Sequence, residues 1–125
     1  MTGIVPKSTI LVIDDDTYVL VFLRTVLGYQ LRHEILTASD GVAGIWTYEQ
    51  TRPDLVIVDL MMPYLGGVHV IEHLTAHYPD VKIIAMSGKA PDQLGEAEGH
   101  GAMASLRKPL DRDDLVAAVE RGLGL

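Results

Sequence analysis

Asp54-Leu55-Val56-Ile57-Val58-Asp59-Leu60-Met61-Met62-Pro63 is the stretch that decides the fold. Its middle is a short run of branched apolar residues with no polar alternation, the pattern of a strand buried on both faces. Pro53 breaks the chain before it, and Met62-Pro63-Tyr64-Leu65-Gly66-Gly67 reads as a loop after it. A strand covered on both faces needs helices above and below. The chain on either side supplies them.

Upstream, Thr9 to Ile13 is a second such run and ends in Asp14-Asp15-Asp16. A helix follows it, with Val19, Leu23, Val26 and Leu27 spaced to form one apolar stripe. His33 to Ala38 is a strand closed by Ser39-Asp40-Gly41, with Ser39 as the expected N-cap of a helix from about Val42 to Gln50. Downstream, the spacing predicts a helix from about Val68 to His77, stopped by Pro79, then a strand from Val81 to Met86 and a loop Ser87-Gly88-Lys89-Ala90-Pro91. Asp92 to about Glu98 is a weak helix because Gly95 and Gly99 lower its propensity. Met103 to Leu106 is a short strand leading into Arg107-Lys108-Pro109. A last helix begins near Asp111, with Asp113 and Asp114 suited to its positive end. Strands alternating with helices predict an α/β fold with a parallel sheet. The expected unit is one domain over 1–125, with tails at about 1–8 and 122–125.

Composition narrows the function. The 125 residues carry 10 basic and 17 acidic side chains, a net charge of -7 that repels a phosphate backbone, and no basic run longer than Arg107-Lys108 opposes it. Direct nucleic-acid binding is not expected. With 22% charged residues and a mean hydropathy of +0.22, the chain is too apolar for disorder. The absence of cysteine excludes disulfides, thiolate metal sites and thiol nucleophiles. No apolar stretch approaches the about 20 residues of a membrane span, and no signal h-region with a cleavage site opens the chain. A cytoplasmic protein without membrane contact is the expectation.

In an open parallel sheet, ligands bind beyond the carboxyl ends of the strands. The polar residues that interrupt the apolar runs here do so at that end. They are Asp14, Asp15 and Asp16 after the first strand, Asp59 on the third, Ser87 after the fourth and Lys108 after the fifth. Carboxylates crowded together either protonate or share a cation. An all-oxygen donor set without cysteine suits Mg²⁺ better than Zn²⁺.

Taken together, Leu11-Val12-Ile13-Asp14-Asp15, the stretch from Asp54 to Pro63 with Gly67, Ser87-Gly88 and Lys108-Pro109 resemble the receiver domain of two-component response regulators, over nearly the whole chain. The resemblance implies a flavodoxin-like, doubly wound five-stranded parallel sheet of order 2-1-3-4-5 with helices on both faces. It further implies a phosphorylation switch rather than an enzyme, in which Asp59 accepts a phosphoryl group from a histidine kinase or phosphotransfer protein. Asp14, Asp15, Asp59 and the backbone carbonyl of Met61 would hold Mg²⁺. Lys108 and Ser87 would meet phosphoryl oxygens, and Gly88 would leave room for the group. Gly67 is expected to permit a special backbone geometry in its loop. The expected assembly is a monomer or weak dimer serving an output partner. One departure stands out: Ser105 occupies the position three before the lysine where receivers usually carry Tyr or Phe. Met61 and Lys89 lie where family members vary in admitting water.

Other readings compete. Asp14 and Asp16 also resemble the D-x-D opening of haloacid-dehalogenase phosphatases, with Asp14 as nucleophile and Asp16 as acid/base. That reading leaves Asp59 to Pro63 unexplained and meets Tyr18 where Thr or Val is usual. A degenerate receiver that only binds proteins is disfavoured because every acidic, hydroxyl and lysine position is filled. His69-Val70-Ile71-Glu72-His73 satisfies the H-x-x-E-H pattern, with His77 one turn on. Yet Val70, Ile71 and Leu74 claim the sheet-facing side, which turns the histidines to solvent. Trp46 falls off the apolar stripe of its helix, and Gly88-Lys89 lacks the spacing of a nucleotide P-loop.

Overall fold

The computed structural model describes residues 7–88 and 91–125, and of 91–94 the backbone alone. Its elements are β1 Thr9–Ile13, α1 Thr17–Leu23, a π-helical stretch Arg24–Gln30 continuing α1, β2 Glu34–Ala38, α2 Gly41–Thr51, β3 Leu55–Asp59, α3 Gly67–His77, β4 Ile83–Ser87, α4 Pro91–Gly99, β5 Ala104–Arg107 and α5 Arg112–Leu123. All strand pairs are parallel, in the order β2-β1-β3-β4-β5. The chain winds outward from β1 in one direction and then in the other. The crevice of such a fold therefore opens between β1 and β3.

Every residue of β3 and β4 is buried, as the uninterrupted apolar runs require. Alternate side chains of each strand point to opposite faces and build two cores. Ile10, Val12, Leu55, Ile57, Ile84 and Met86 pack with Leu23, Val26 and Leu27 of the first helical segment and with Leu115, Ala118 and Val119 of α5. Leu11, Ile13, Val56, Val58, Ile83 and Ala85 pack with Tyr48 of α2, Val70, Ile71 and Leu74 of α3 and Ala97 of α4. At about 1.5–3 kcal/mol for each large apolar side chain removed from water, these two layers dominate the stability. The stripe Val19, Leu23, Val26, Leu27 lies on the sheet as its spacing requires, although the helix widens beneath it and Leu31 N bonds Val26 O across five residues.

Several boundaries differ from the sequence reading for local reasons. The N-cap of α2 is Asp40, not Ser39, and its carboxylate accepts from Ala43 N at 2.8 Å. With Asp40 as the cap the helix starts one residue early, at Gly41, where a Cβ would meet Leu65 O at 2.8 Å and Val70 Cγ2 at 2.9 Å. Val81 stays outside β4, its N–H closing a turn on Tyr78 O, and Ser87 is the last residue of that strand. Residues 122 and 123 belong to α5 and are not tail. Gly122 is buried against Leu55, whose Cδ1 would be 2.9 Å from a Cβ added there. At the other end, Glu34 N donates to Ser8 O at 2.8 Å, so Ser8 is tied to the edge strand rather than trailing from it.

Candidate functional site

Register brings the strand ends together. Ile13 pairs with Val58, which sets Asp14 level with Asp59 on the neighbouring strand. Asp59 pairs with Met86 and Ser87 with Arg107, so Ser87 and Lys108 each stand one step beyond. Asp14, Asp59 and Ser87 are buried polar residues at the end of an otherwise apolar sheet. Carboxylate oxygens of Asp14, Asp15 and Asp59 lie within 4.8 Å of one another, forming the one group of three potential metal ligands among the described residues. All are hard oxygen donors, two buried and one open to solvent. This donor set fits Mg²⁺, which takes few protein carboxylates and keeps water.

Asp16 does not join them. Its carboxylate caps α1 by accepting from Tyr18 N at 2.9 Å, while its own N–H donates to Asp14 Oδ1 at 2.9 Å. The Asp14 and Asp16 pairing required of a phosphatase is thereby divided between a buried cluster and a helix cap.

Lys108 Nζ lies 2.9 Å from Asp14 Oδ2 and 3.4 Å from Asp59 Oδ2. The lysine thus binds Asp14 more tightly than the expected acceptor. Burial opposes its charge, but the hydrogen bond it donates to Asp14 and the negative charge of Asp59 prevail and hold its pKa above the ordinary value. Burial first, and then the charge of Asp14, push the Asp59 carboxyl up to about 6, against the N–H of Met61 and the ammonium of Lys108. One cation facing three carboxylates leaves the cluster short of positive charge. A second cation relieves it.

The loop after β3 braces Asp59. Met61 N donates to Asp59 Oδ1 at 3.2 Å, and Gly67 N donates to Leu60 O at 3.3 Å. The need for glycine at Gly67 differs from expectation: its backbone dihedrals are ordinary, but an added Cβ would press into the main chain of Asp59 and Leu60, 2.7 Å from Leu60 Cα. The left-handed residue of this loop is the exposed Tyr64, with φ 67°. A Cβ at Gly88 would touch Lys108 Cβ at an ordinary 3.5 Å, so the protein itself does not forbid one. Lys89 lies outside the described residues. Beside the carboxylates, an apolar groove of about 490 Å³ is lined by Asp16, Tyr18, Val19, Phe22, Lys108, Pro109 and Leu110.

The α3 histidines are turned from the core while Val70, Ile71 and Leu74 are fully buried. His73 and His77 stack at 4.3 Å between ring centroids, and His73 Nε2 is 3.8 Å from Glu49 Oε2, without a third imidazole or carboxylate close enough to complete a site among the described residues. Trp46 is exposed, as its place off the stripe requires.

Residues 10–120 match the sequence model of the response regulator receiver domain. The chain belongs to this family. The transcriptional regulatory protein PrrA of Mycobacterium leprae is 36% identical over 119 residues, covering 93% of this chain and 50% of that protein. Sporulation initiation phosphotransferase F of Bacillus subtilis is 26% identical over 120 residues, covering 95% of this chain and 96% of the relative. The chain therefore spans half the length of the first relative and nearly all of the second. In three dimensions it is similar to the crystal structure of a receiver domain protein from Clostridium thermocellum, with a TM-score of 0.87, 30% identity and 94% of each chain covered. Receiver domains are phosphorylation-dependent signalling switches that meet histidine kinases or phosphotransfer proteins and generally bind Mg²⁺ at an acidic cluster. Among the described residues, no helix of this receiver is long and apolar enough to cross a membrane.

Sequence reasoning missed one contact of this receiver. The hydroxyl of Ser105, at the position lacking the usual aromatic, donates to Glu98 Oε2 of α4 at 2.5 Å. Seven residues separate the two across a turn, and no local pattern announces the pair.

Proposed function

We propose that this receiver takes a phosphoryl group onto a carboxylate oxygen of Asp59 from a phosphohistidine of a histidine kinase or phosphotransfer protein, and then presents an altered surface to an output partner. The observation that carries this reading is the placement of buried Asp59 on the middle strand, beside Asp14 and 3.4 Å from Lys108 Nζ. In the transfer, an Asp59 oxygen forms the new O–P bond as the donor's N–P bond breaks. The imidazole leaves with that electron pair and takes up a proton. Attack of water on the same phosphorus returns the Asp59 carboxylate and releases inorganic phosphate, so no substrate need be turned over for the switch to reset.

The residues contribute position and charge. Lys108, already between Asp14 and Asp59, supplies a fixed positive charge to phosphoryl oxygens. The Ser87 hydroxyl is the donor for another oxygen, and Gly88 keeps that side free of a side chain. Asp14, Asp15, Asp59 and the Met61 carbonyl would hold Mg²⁺. When bound, the ion offsets the crowded carboxylates and the charge on the phosphoryl oxygens. The apolar groove from Tyr18 to Leu110 is the surface on which the donor rests beside Asp59. We place this unit, spanning 1–125, in the cytoplasm as a monomer or weak dimer that makes no direct contact with nucleic acid.

The test is incubation with acetyl phosphate and Mg²⁺ followed by intact mass. The wild type should gain one phosphoryl group, and Asp59→Asn should gain none while keeping its circular dichroism. A label that instead depends on Asp14, with repeated turnover of a phosphate ester, would establish the phosphatase reading.

A further inference from the structure

Over its described side chains, α4 is held by polar groups more than by packing. Among its described side chains, only Ala97 is buried, and a Cβ added at Gly95 or Gly99 would meet nothing within 4 Å. Its last turns are fastened by side chains at three places, one of them Thr75 Oγ1 of α3 donating to His100 O at 3.3 Å. On one side, His100 lies 3.7 Å from Glu72 Oε2 of α3 and 3.8 Å from Glu96 Oε1. These distances are beyond hydrogen bonding and the groups are solvent-exposed, so the attraction is weak. On the other side, Ser105 Oγ of β5 donates to the Glu98 carboxylate at bonding distance. A hydroxyl bonded to an ionised carboxylate is the stronger and more directional fastening.

The two ends of α4 answer to different strands. Its N-terminal end is joined to Ser87 of β4 by only residues 88–90, whereas its C-terminal end is fastened to β5 three residues before Lys108. If Ser87 and Gly88 were to shift toward a group on Asp59, a connection this short would carry the shift to the start of α4 while Ser105 holds its other end. The last turn follows only if its bond to Ser105 of β5 lengthens or breaks and its contacts with Thr75 and Glu72 of α3 yield as well.

We infer that the Ser105 and Glu98 side chains form a latch that positions α4 on β5 and opposes the loading of Asp59. The inference rests on Asp59 being the phosphoacceptor. Ser105 acts as a positioning residue, remote from the phosphoryl group. By linkage, a bond that loading must break lowers the affinity of the loaded state by the same factor that loading weakens the bond. The receiver thus carries a short polar tether that sets the threshold of its response.

Beryllofluoride, a phosphoryl mimic, added with Mg²⁺ and followed by calorimetry, reads this coupling in the intact chain. Ser105→Ala and Glu98→Ala should each bind it about two- to fivefold more tightly than wild type, as loss of one partly exposed hydrogen bond implies. The double variant should gain no more than either single change, because both remove the same contact. Glu98→Gln keeps an acceptor and should fall between wild type and Glu98→Ala, while Glu96→Gln, which removes only the weak attraction to His100 within the same helix end, should match wild type. Hydrogen exchange without the mimic should be faster over residues 95–103 in Ser105→Ala and Glu98→Ala. Unchanged or weaker affinity in both alanine variants overturns the opposition, additive gains overturn the pairing, and unchanged exchange overturns the latch itself. A wild type that binds no beryllofluoride instead refutes Asp59 as acceptor, and the exchange measurement still decides whether Ser105 holds α4.

Discussion

An alanine at Gly67 would press from behind on the strand that carries Asp59. Gly67 is the first residue of α3, and its Cα lies so near the end of β3 that a Cβ would be driven into the Asp59 carbonyl, with Leu60 Cα at 2.7 Å and Asp59 C at 2.9 Å. No rotamer relieves this, because the atoms it meets are main chain. That main chain is itself fixed: Asp59 pairs with Met86, and Leu60 N donates to Met86 O at 2.9 Å. Overpacking usually costs about 1–3 kcal/mol when side chains can yield, so a rigid partner places Gly67→Ala at the upper end, near 3 kcal/mol. For a chain of this length that is a fall of about 10 °C in Tm. The displaced backbone carries Asp59, so labelling by acetyl phosphate should slow by about tenfold or more. Gly66→Ala is the control: its backbone lies at φ -71° and ψ 162°, and the nearest atom to an added Cβ is Leu60 O at 3.7 Å. Only a somewhat poorer helix cap is lost there, at a cost within about 1 kcal/mol. Urea unfolding followed by circular dichroism compares the two, and a Gly67→Ala no less stable than Gly66→Ala would refute the steric argument.

Other perturbations probe other parts of the chain. Gly95→Ala should stabilise the fold by about 0.5–1 kcal/mol, since α4 leaves open space there and the unfolded chain loses freedom; a lowered Tm would show contacts that its open surroundings do not suggest. Burial, and then the charge of Lys7, hold the pKa of His33 below 6.5, and its Nδ1 has no hydrogen-bond partner among the described residues. The unfolded chain therefore takes up that proton first, so this contribution to stability is present above about pH 6.5 and lost as pH falls below it. Melts of wild type and His33→Gln at pH 8 and pH 5.5 should show a steeper acid loss in the wild type, and equal losses would remove His33 from the account. Mg²⁺ at ten times its Kd should stabilise the receiver by about 1.4 kcal/mol. Asp15→Asn, altering the exposed member of the carboxylate group, should abolish most of that gain without lowering the metal-free Tm.

Residues whose roles follow from the strand pattern were legible in the sequence. Leu55 to Val58 and Ile83 to Met86 are apolar at every position because helices cover both sides, and the same logic marks Asp14, Asp59, Ser87 and Lys108 as interruptions at one end of the sheet. Element edges were less legible, since Asp40 and Ser39 are both good N-caps and only the folded chain shows that Asp40 is the one that accepts from Ala43 N. The widening of the first helix after Leu23 leaves no mark in the spacing, because Val26 and Leu27 meet the same core in either geometry. Within the site, residue type announced a carboxylate cluster, but only the register shows Lys108 nearer Asp14 than Asp59 and Asp16 diverted to cap α1. The bond between Ser105 and Glu98 depends on how α4 lies against β5, a tertiary arrangement that neither residue encodes alone.

The sheet divides the apolar interior into two compartments, one under the first helix and α5 and the other under α2, α3 and α4. Adjacent letters of a single strand, such as Ile10 and Leu11 or Ile83 and Ile84, belong to different compartments. Substitutions accumulated under α5 are thus insulated from those under α3 by a layer of hydrogen-bonded backbone, and each can drift with its own helices. A lineage could remodel the surface that meets one partner while the packing behind the other stays untouched. For an engineer, the interior is two half-size repacking problems that can be solved in parallel and combined, with β1 and β3, which carry Asp14 and Asp59 at their ends, as the shared wall.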